Sequence, residues 1–122
     1  MARILIVEDH TDSREGLALL LGLDHHVETA KNGQEVLDLL AHRTYDVILS
    51  DLRMPRMGGE ELYRLIARDW PHLASRFVFL AGQPPSAAIQ AQDGGPSVTI
   101  LTKPVSPERL TETIAEVIAR AT

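Results

Sequence analysis

The chain has 122 residues, a size that suits one ordinary domain with an interior large enough for a core but leaves little room for a separate output or DNA-binding module. With 12 Lys and Arg against 17 Asp and Glu its formal charge is −5, and no basic run supplies the footprint of phosphate-backbone binding, so direct nucleic-acid binding is not expected. The absence of Cys removes disulfide scaffolds, thiolate metal sites and Cys nucleophiles together. The longest apolar stretches fall far short of the roughly 20 residues of a membrane span, and no charged segment leads into a signal-like one. The expectation is a single cytoplasmic domain over residues 1–122, with no output domain and no membrane contact of its own.

Ile4-Leu5-Ile6-Val7 is continuously apolar and rich in β-branched residues, the pattern of a parallel strand buried on both faces. Thr11-Asp12-Ser13 offers an N-cap to a helix whose apolar stripe runs through Leu17, Leu20 and Leu21. His26 to Ala30 is half polar and precedes the turn signal Asn32-Gly33, which suits a strand at a sheet edge. Val36, Leu39 and Leu40 mark a second helix, Val47-Ile48-Leu49 a second buried strand, and Leu62, Leu65 and Ile66 a third helix. Trp70, before Pro71, reads as a partly buried ring at that helix's end. Phe77 to Leu80 and Val98 to Leu101 are further buried strands. Between them Gln83 to Ser97, framed by Pro84-Pro85, Gly94-Gly95 and Pro96, has room for barely two helical turns. Ser106-Pro107-Glu108 gives a last helix, with the stripe Leu110, Ile114, Val117 and Ile118, a cap followed by Pro at its first position. This alternation predicts an α/β fold: a doubly wound, five-stranded parallel sheet with right-handed crossovers and helices on both faces.

In such sheets ligands bind beyond the carboxyl ends of the strands. There the chain places Glu8-Asp9 after the first strand, Ser50-Asp51 after the third, Ala81-Gly82 after the fourth and Thr102-Lys103-Pro104 after the fifth. If the first and third strands are neighbours, Glu8, Asp9 and Asp51 crowd their charge into one cleft, and a cation must compensate. Hard oxygen donors of this kind favour Mg²⁺, with Mn²⁺ as a substitute, and such an ion invites a phosphoryl group. Asp51 fits the role of a carboxylate nucleophile forming an aspartyl phosphate, and Lys103 that of the ammonium that neutralises phosphoryl oxygens.

The strand ending Ile6-Val7-Glu8-Asp9, the segment Asp51-Leu52-Arg53-Met54-Pro55-Arg56-Met57-Gly58-Gly59 and Leu101-Thr102-Lys103-Pro104, in this order and spacing, resemble the receiver domains of two-component response regulators, the CheY-like family. The resemblance covers essentially the whole chain and implies a flavodoxin-like strand order 2-1-3-4-5. It implies Asp51 as phosphoacceptor, Asp9 as a direct Mg²⁺ ligand, Glu8 as a ligand through water, the Arg53 carbonyl as a further ligand, and Lys103 as the partner of a phosphoryl oxygen. It also implies a cis peptide between Lys103 and Pro104, which the chemistry of a residue before proline makes accessible. Gly58-Gly59 would let the loop after Asp51 turn tightly into the next helix. Arg53 and Gln83 occupy positions where the family varies its self-dephosphorylation.

The chain departs from the family at two switch positions: Ala81 stands where a Ser or Thr hydroxyl usually bonds the phosphoryl group, and Ile100 where an aromatic side chain usually swings inward. The function this implies is that of a phosphoacceptor signalling domain, not a metabolic enzyme. It would take a phosphoryl group from a histidine kinase or histidine phosphotransfer domain, act on an unknown downstream protein, and serve as a relay, sink or docking module with a muted switch. The ending of the chain also resembles receivers attached to hybrid sensor kinases. Two alternatives stand beside this: a receiver that works by protein binding without phosphorylation, and a small aspartyl-phosphate phosphohydrolase. Against the second, no acid follows Asp51 two residues on, where such hydrolases carry their general acid. His10, His25, His26, His42 and His72 have no metal-ligand spacing and are expected at the surface; His10 directly follows the acid pair, but contact with the cleft mouth is the less favoured reading and it is assigned no role.

Overall fold

The structure, a computed structural model, describes residues 2–52, 57–82 and 99–121. Its strands are β1 (Arg3–Val7), β2 (His26–Ala30), β3 (Val47–Asp51), β4 (Phe77–Ala81) and β5 (Thr99–Thr102). Its helices are α1 (Thr11–Leu21), α2 (Gly33–Leu40), α3 (Gly59–Asp69) and α4 (Pro107–Ala121), with a 3₁₀ turn over Pro71–Arg76. The strands form one parallel sheet in the order β2-β1-β3-β4-β5, as the resemblance implied. The predicted short helix between Gln83 and Ser97 lies outside the described residues.

Alternation along the strands divides the interior into two layers. Leu5, Val7, Ile48, Phe77 and Phe79 face α2 and α3 together with Val36, Leu62 and Ile66, and the rings of Tyr63 and Phe77 meet edge to face at 5.5 Å. Ile4, Ile6, Val47, Leu49, Val78 and Leu80 face the other way, onto Leu21 of α1 and Leu110, Ile114 and Val117 of α4. Central strands covered on both faces need apolar residues at every position, which is why β1, β3 and β4 lack the polar alternation of a half-exposed strand. Each fully buried side chain of this kind stabilises the fold by about 1.5–3 kcal/mol.

Three local features differ from the sequence reading. Helix α1 begins at Thr11 with His10 in the cap position and no side-chain cap bond, so Thr11, Asp12 and Ser13 lie inside the helix. Asn32 is a helix cap rather than a turn residue: its side chain accepts from the Glu35 amide at 2.9 Å, while Glu35 reaches back to the Lys31 amide at 2.7 Å. Strand β5 is only half buried, with Thr102 exposed and Thr99 and Ile100 partly so, because it forms the second edge of the sheet. The cap on α4 is as expected, with the Arg109 amide donating to Ser106 Oγ at 3.1 Å. Trp70 is half-buried against the α2 and α3 layer.

Candidate functional site

The strand order reverses direction between β1 and β3, so no connection crosses above their carboxyl ends and a cleft opens there. In register Val7 lies beside Ser50, which sets Glu8 beside Asp51 one position further on. Glu8 is held by its amide, which donates to the Ala30 oxygen at 3.0 Å and extends β1 by one residue into the cleft. Asp51 is the last residue of β3, and the following Leu52 amide is bonded to the Leu80 oxygen at 2.9 Å, fixing the exit of that strand against β4.

Lys103 reaches this cleft from the far side of β4. Its amide donates to the Ala81 oxygen at 2.8 Å, its peptide bond to Pro104 is cis, and its Nζ lies 2.9 Å from Asp51 Oδ1. The residues that the sequence analysis brought together from four strand ends are thus joined here: Glu8, Asp9, Asp51 and Lys103 at one cleft, with Ala81 in backbone contact. Arg53, Arg56 and Gln83 lie outside the described residues.

One ammonium does not balance three carboxylates. Glu8 Oε2 and Asp9 Oδ1 are buried without a hydrogen-bond partner, which leaves acceptor capacity that only a cation or donor can satisfy. Burial, then the adjacent Asp51 carboxylate, then the charge of Asp9 push the Glu8 carboxyl up to about 7, while the Lys103 charge opposes them. A proton on Glu8 and a bound cation are two ways of relieving the same repulsion.

Two side chains that the sequence reading left without a role belong to the cleft. Arg14 folds back from α1 so that Nη1 donates to the backbone oxygens of Glu8 at 2.9 Å and Asp9 at 3.5 Å, and Nη2 lies 3.4 Å from Thr11 Oγ1. His10 turns its Nδ1 to within 3.7 Å of both Glu8 Oε1 and Asp9 Oδ1. The signal for Arg14 was its place one helical turn inside α1, directly over the strand exit; a single arginine on an otherwise solvated helix face does not announce it.

Residues 4–115 match the family model described as response regulator receiver domain. The chain belongs to that family. It is 38% identical over 112 residues to the response regulator receiver protein Anae109_2439 of Anaeromyxobacter sp. strain Fw109-5, a match covering 90% of this chain and 46% of that protein. The chain spans less than half the length of the first curated relatives it matches, 25% in the case of PilR from Pseudomonas aeruginosa. Among solved structures, a response regulator receiver domain protein from Clostridium thermocellum superposes with a TM-score of 0.86 at 29% identity, covering 98% of this chain and 96% of that one. The response regulator TrrA from Thermotoga maritima, solved in complex with Mg²⁺ and BeF, superposes with a TM-score of 0.80 at 25% identity over 96% of this chain and 99% of that one.

The chain is therefore a CheY-like receiver domain of two-component signalling, a signalling domain rather than a metabolic enzyme. Its donor set suits a hard divalent cation: carboxylate oxygens from two adjacent strands, buried, partly unpartnered and mutually repelling. Among the described residues no helix is long and apolar enough to cross a membrane.

Gly58 is extended, at φ −71 and ψ 165. Gly59 is buried because a Cβ there would lie 2.6 Å from the Asp51 backbone oxygen and 3.0 Å from Leu52 Cα. The requirement at Gly59 is close approach of α3 to the strand exit, reinforced by its amide donating to the Leu52 oxygen at 2.9 Å.

Proposed function

We propose that this receiver accepts a phosphoryl group on Asp51 from the phosphohistidine of a histidine kinase or histidine phosphotransfer partner. A carboxylate oxygen of Asp51 attacks phosphorus, the P–N bond breaks, its electron pair stays on the donor imidazole, and an aspartyl phosphate forms. Asp9, Glu8 through water, Asp51 and the Arg53 carbonyl would hold Mg²⁺, with Mn²⁺ as a substitute. When bound, the ion supplies positive charge to the phosphoryl oxygens in transit. Lys103 neutralises a further oxygen from the opposite side, and burial of Glu8 and Asp51 excludes bulk water from the charges being exchanged.

The observation that carries this reading is the 2.9 Å contact of Lys103 Nζ with Asp51 Oδ1 next to the unpartnered acids of β1. Intact mass after incubation with Mg²⁺ and a small phosphodonor such as acetyl phosphate tests it. One phosphoryl group should appear on the unaltered chain and none on Asp51→Asn; labelling of both would overturn the assignment of Asp51, and labelling of neither would overturn it in favour of a receiver that works by protein binding alone.

The same reading includes a muted switch. Ala81 is buried at the end of β4 and offers no hydroxyl to a phosphoryl oxygen, and Ile100 on β5 is a stiff, β-branched residue packed against the α2 and α3 layer. A ligand shifts a conformational equilibrium only through contacts that differ between the states, so loss of a charge-assisted contact of about 1.5–3 kcal/mol shrinks the shift. Beryllofluoride with Mg²⁺ should leave amide NMR shifts of residues 99–102 nearly unchanged, and Ala81→Thr with Ile100→Tyr should enlarge the response. This favours a phosphoryl relay, sink or docking module acting on a separate downstream protein.

A further inference from the structure

The cleft holds a side chain that the phosphoacceptor reading does not use. The His10 side chain makes no cap bond to α1 and is 78% exposed, yet its Nδ1 stands 3.7 Å from Glu8 Oε1 and 3.7 Å from Asp9 Oδ1. Both distances are too long for hydrogen bonds. One nitrogen and two carboxylate oxygens of Glu8, Asp9 and His10 all lie within 4.8 Å of one another.

Donors about 2.1 Å from a shared ion lie roughly 3 Å apart when at right angles and roughly 4.2 Å apart when opposite. The two 3.7 Å separations fall inside that range. The two side-chain cations at the cleft engage other atoms: Arg14 donates to the backbone oxygens of Glu8 and Asp9, and Lys103 Nζ lies against Asp51 Oδ1. Of the two oxygens that face His10, Asp9 Oδ1 is buried and unpartnered and the other belongs to a Glu8 side chain only 4% exposed, whose Oε2 is unpartnered as well, so the donors opposite His10 are in want of a cation.

We infer that His10 is a nitrogen donor to the cation site, giving this receiver affinity for borderline transition ions, such as Co²⁺, beyond what its carboxylates provide. The inference rests on the reading of Glu8 and Asp9 as ion-holding residues. Its chemistry separates two classes of ion. Mg²⁺ prefers oxygen donors and retains its waters, so it gains little from an imidazole, whereas the later first-row divalent ions bind imidazole well. An imidazole that merely balanced the acids' charge would instead affect both ions alike.

The test is calorimetric titration of the metal-free chain with Mg²⁺ and, separately, with Co²⁺, at mildly alkaline pH so that a donor nitrogen carries its lone pair, repeated on His10→Ala and His10→Gln. Co²⁺ affinity should fall on the order of tenfold in both variants, with Mg²⁺ affinity within about twofold of the unaltered chain. In NMR spectra of the Co²⁺-loaded chain, the His10 ring signals should be hyperfine-shifted and should return on excess Mg²⁺. Equal changes for both ions, or shifted signals confined to His25, His26, His42 and His72, would overturn the inference while leaving the acidic site standing. Failure of the unaltered chain to bind Mg²⁺ would instead overturn the acidic-site reading itself, and this inference with it.

Discussion

Arg14 Nη1 donates to the backbone oxygen of Glu8 at 2.9 Å, so a helix side chain fixes the strand exit from which the acids of the cleft project. The bond ties the first turn of α1 to the end of β1. Arg14→Ala should therefore leave the fold intact by circular dichroism but weaken Mg²⁺ binding on the order of tenfold, as loss of a supporting contact behind a ligand does. Arg14→Lys should recover only part of it, since a lysine has one nitrogen where the guanidinium reaches the Glu8 and Asp9 oxygens with Nη1 and Thr11 Oγ1 with Nη2. Unchanged Mg²⁺ affinity in Arg14→Ala would show that β1 holds its own exit.

The Glu8 carboxyl, raised from 4.5 to about 7, makes stability depend on pH with a definite sign. The fold favours its protonated form, so its contribution in metal-free protein is complete below pH 4.5 and is lost as pH rises to about 7. Saturating Mg²⁺ should raise the melting temperature, and more so at pH 8 than at about pH 5, because an ion needs the deprotonated carboxylate. Glu8→Gln should remove this part of the pH slope. A melting temperature indifferent to Mg²⁺ across the range would count against the acidic cleft as an ion site.

A second titrating cluster lies on the edge strand. The hydroxyl of buried Tyr45 donates to Glu28 Oε1 at 2.6 Å, and Arg43 Nη1 holds Glu28 Oε2 at 2.8 Å. The Tyr45 hydrogen bond is the chief cause holding the Glu28 carboxyl below its ordinary range, while burial and Glu28 push the Tyr45 hydroxyl up to about 12. The tyrosine contribution is complete below its ordinary value of 10.0 and disappears as pH rises towards 12. Tyr45→Phe should cost about 2 kcal/mol at neutral pH and flatten the alkaline limb of denaturant-unfolding curves. Equal alkaline slopes in both proteins would rule this bond out as their source.

Gly59 offers a steric test of the cleft. A methyl group there meets the Asp51 backbone oxygen at 2.6 Å, and backbone cannot rotate away as a flexible side chain can. Gly59→Ala should destabilise by about 2 kcal/mol and slow labelling of Asp51, because α3 must withdraw from the strand exit. Gly58→Ala, where the nearest atom is 3.8 Å away, should do neither and serves as the control.

The fold was legible because apolar runs at Ile4–Val7, Val47–Leu49 and Phe77–Leu80 are long enough, and punctuated enough, to allow one reading. The cleft was legible because topology places strand ends together, so Glu8, Asp51 and Lys103 could be joined from order alone. Arg14 and His10 were not, since their roles depend on side-chain direction at a helix start rather than on residue type or spacing. The cap was misread for a related reason: Thr11, Asp12 and Ser13 are all good cap residues, but β1 continues through Glu8 and brings the chain into α1 at His10. For Asn32 the same dipeptide chemistry serves a turn or a cap, and only the Glu35 contacts distinguish them.

The register that sets Glu8 beside Asp51 has a kinetic side. The two acids belong to strands that are neighbours in the sheet but distant along the chain, so their repulsion is absent both from the unfolded chain and from any partly folded form built from β1, α1 and β2 alone. It arises in one event, the docking of β3 against β1. Mg²⁺ present during refolding should relieve that repulsion as β3 docks, shortening the refolding time of the unaltered chain more than that of Glu8→Gln.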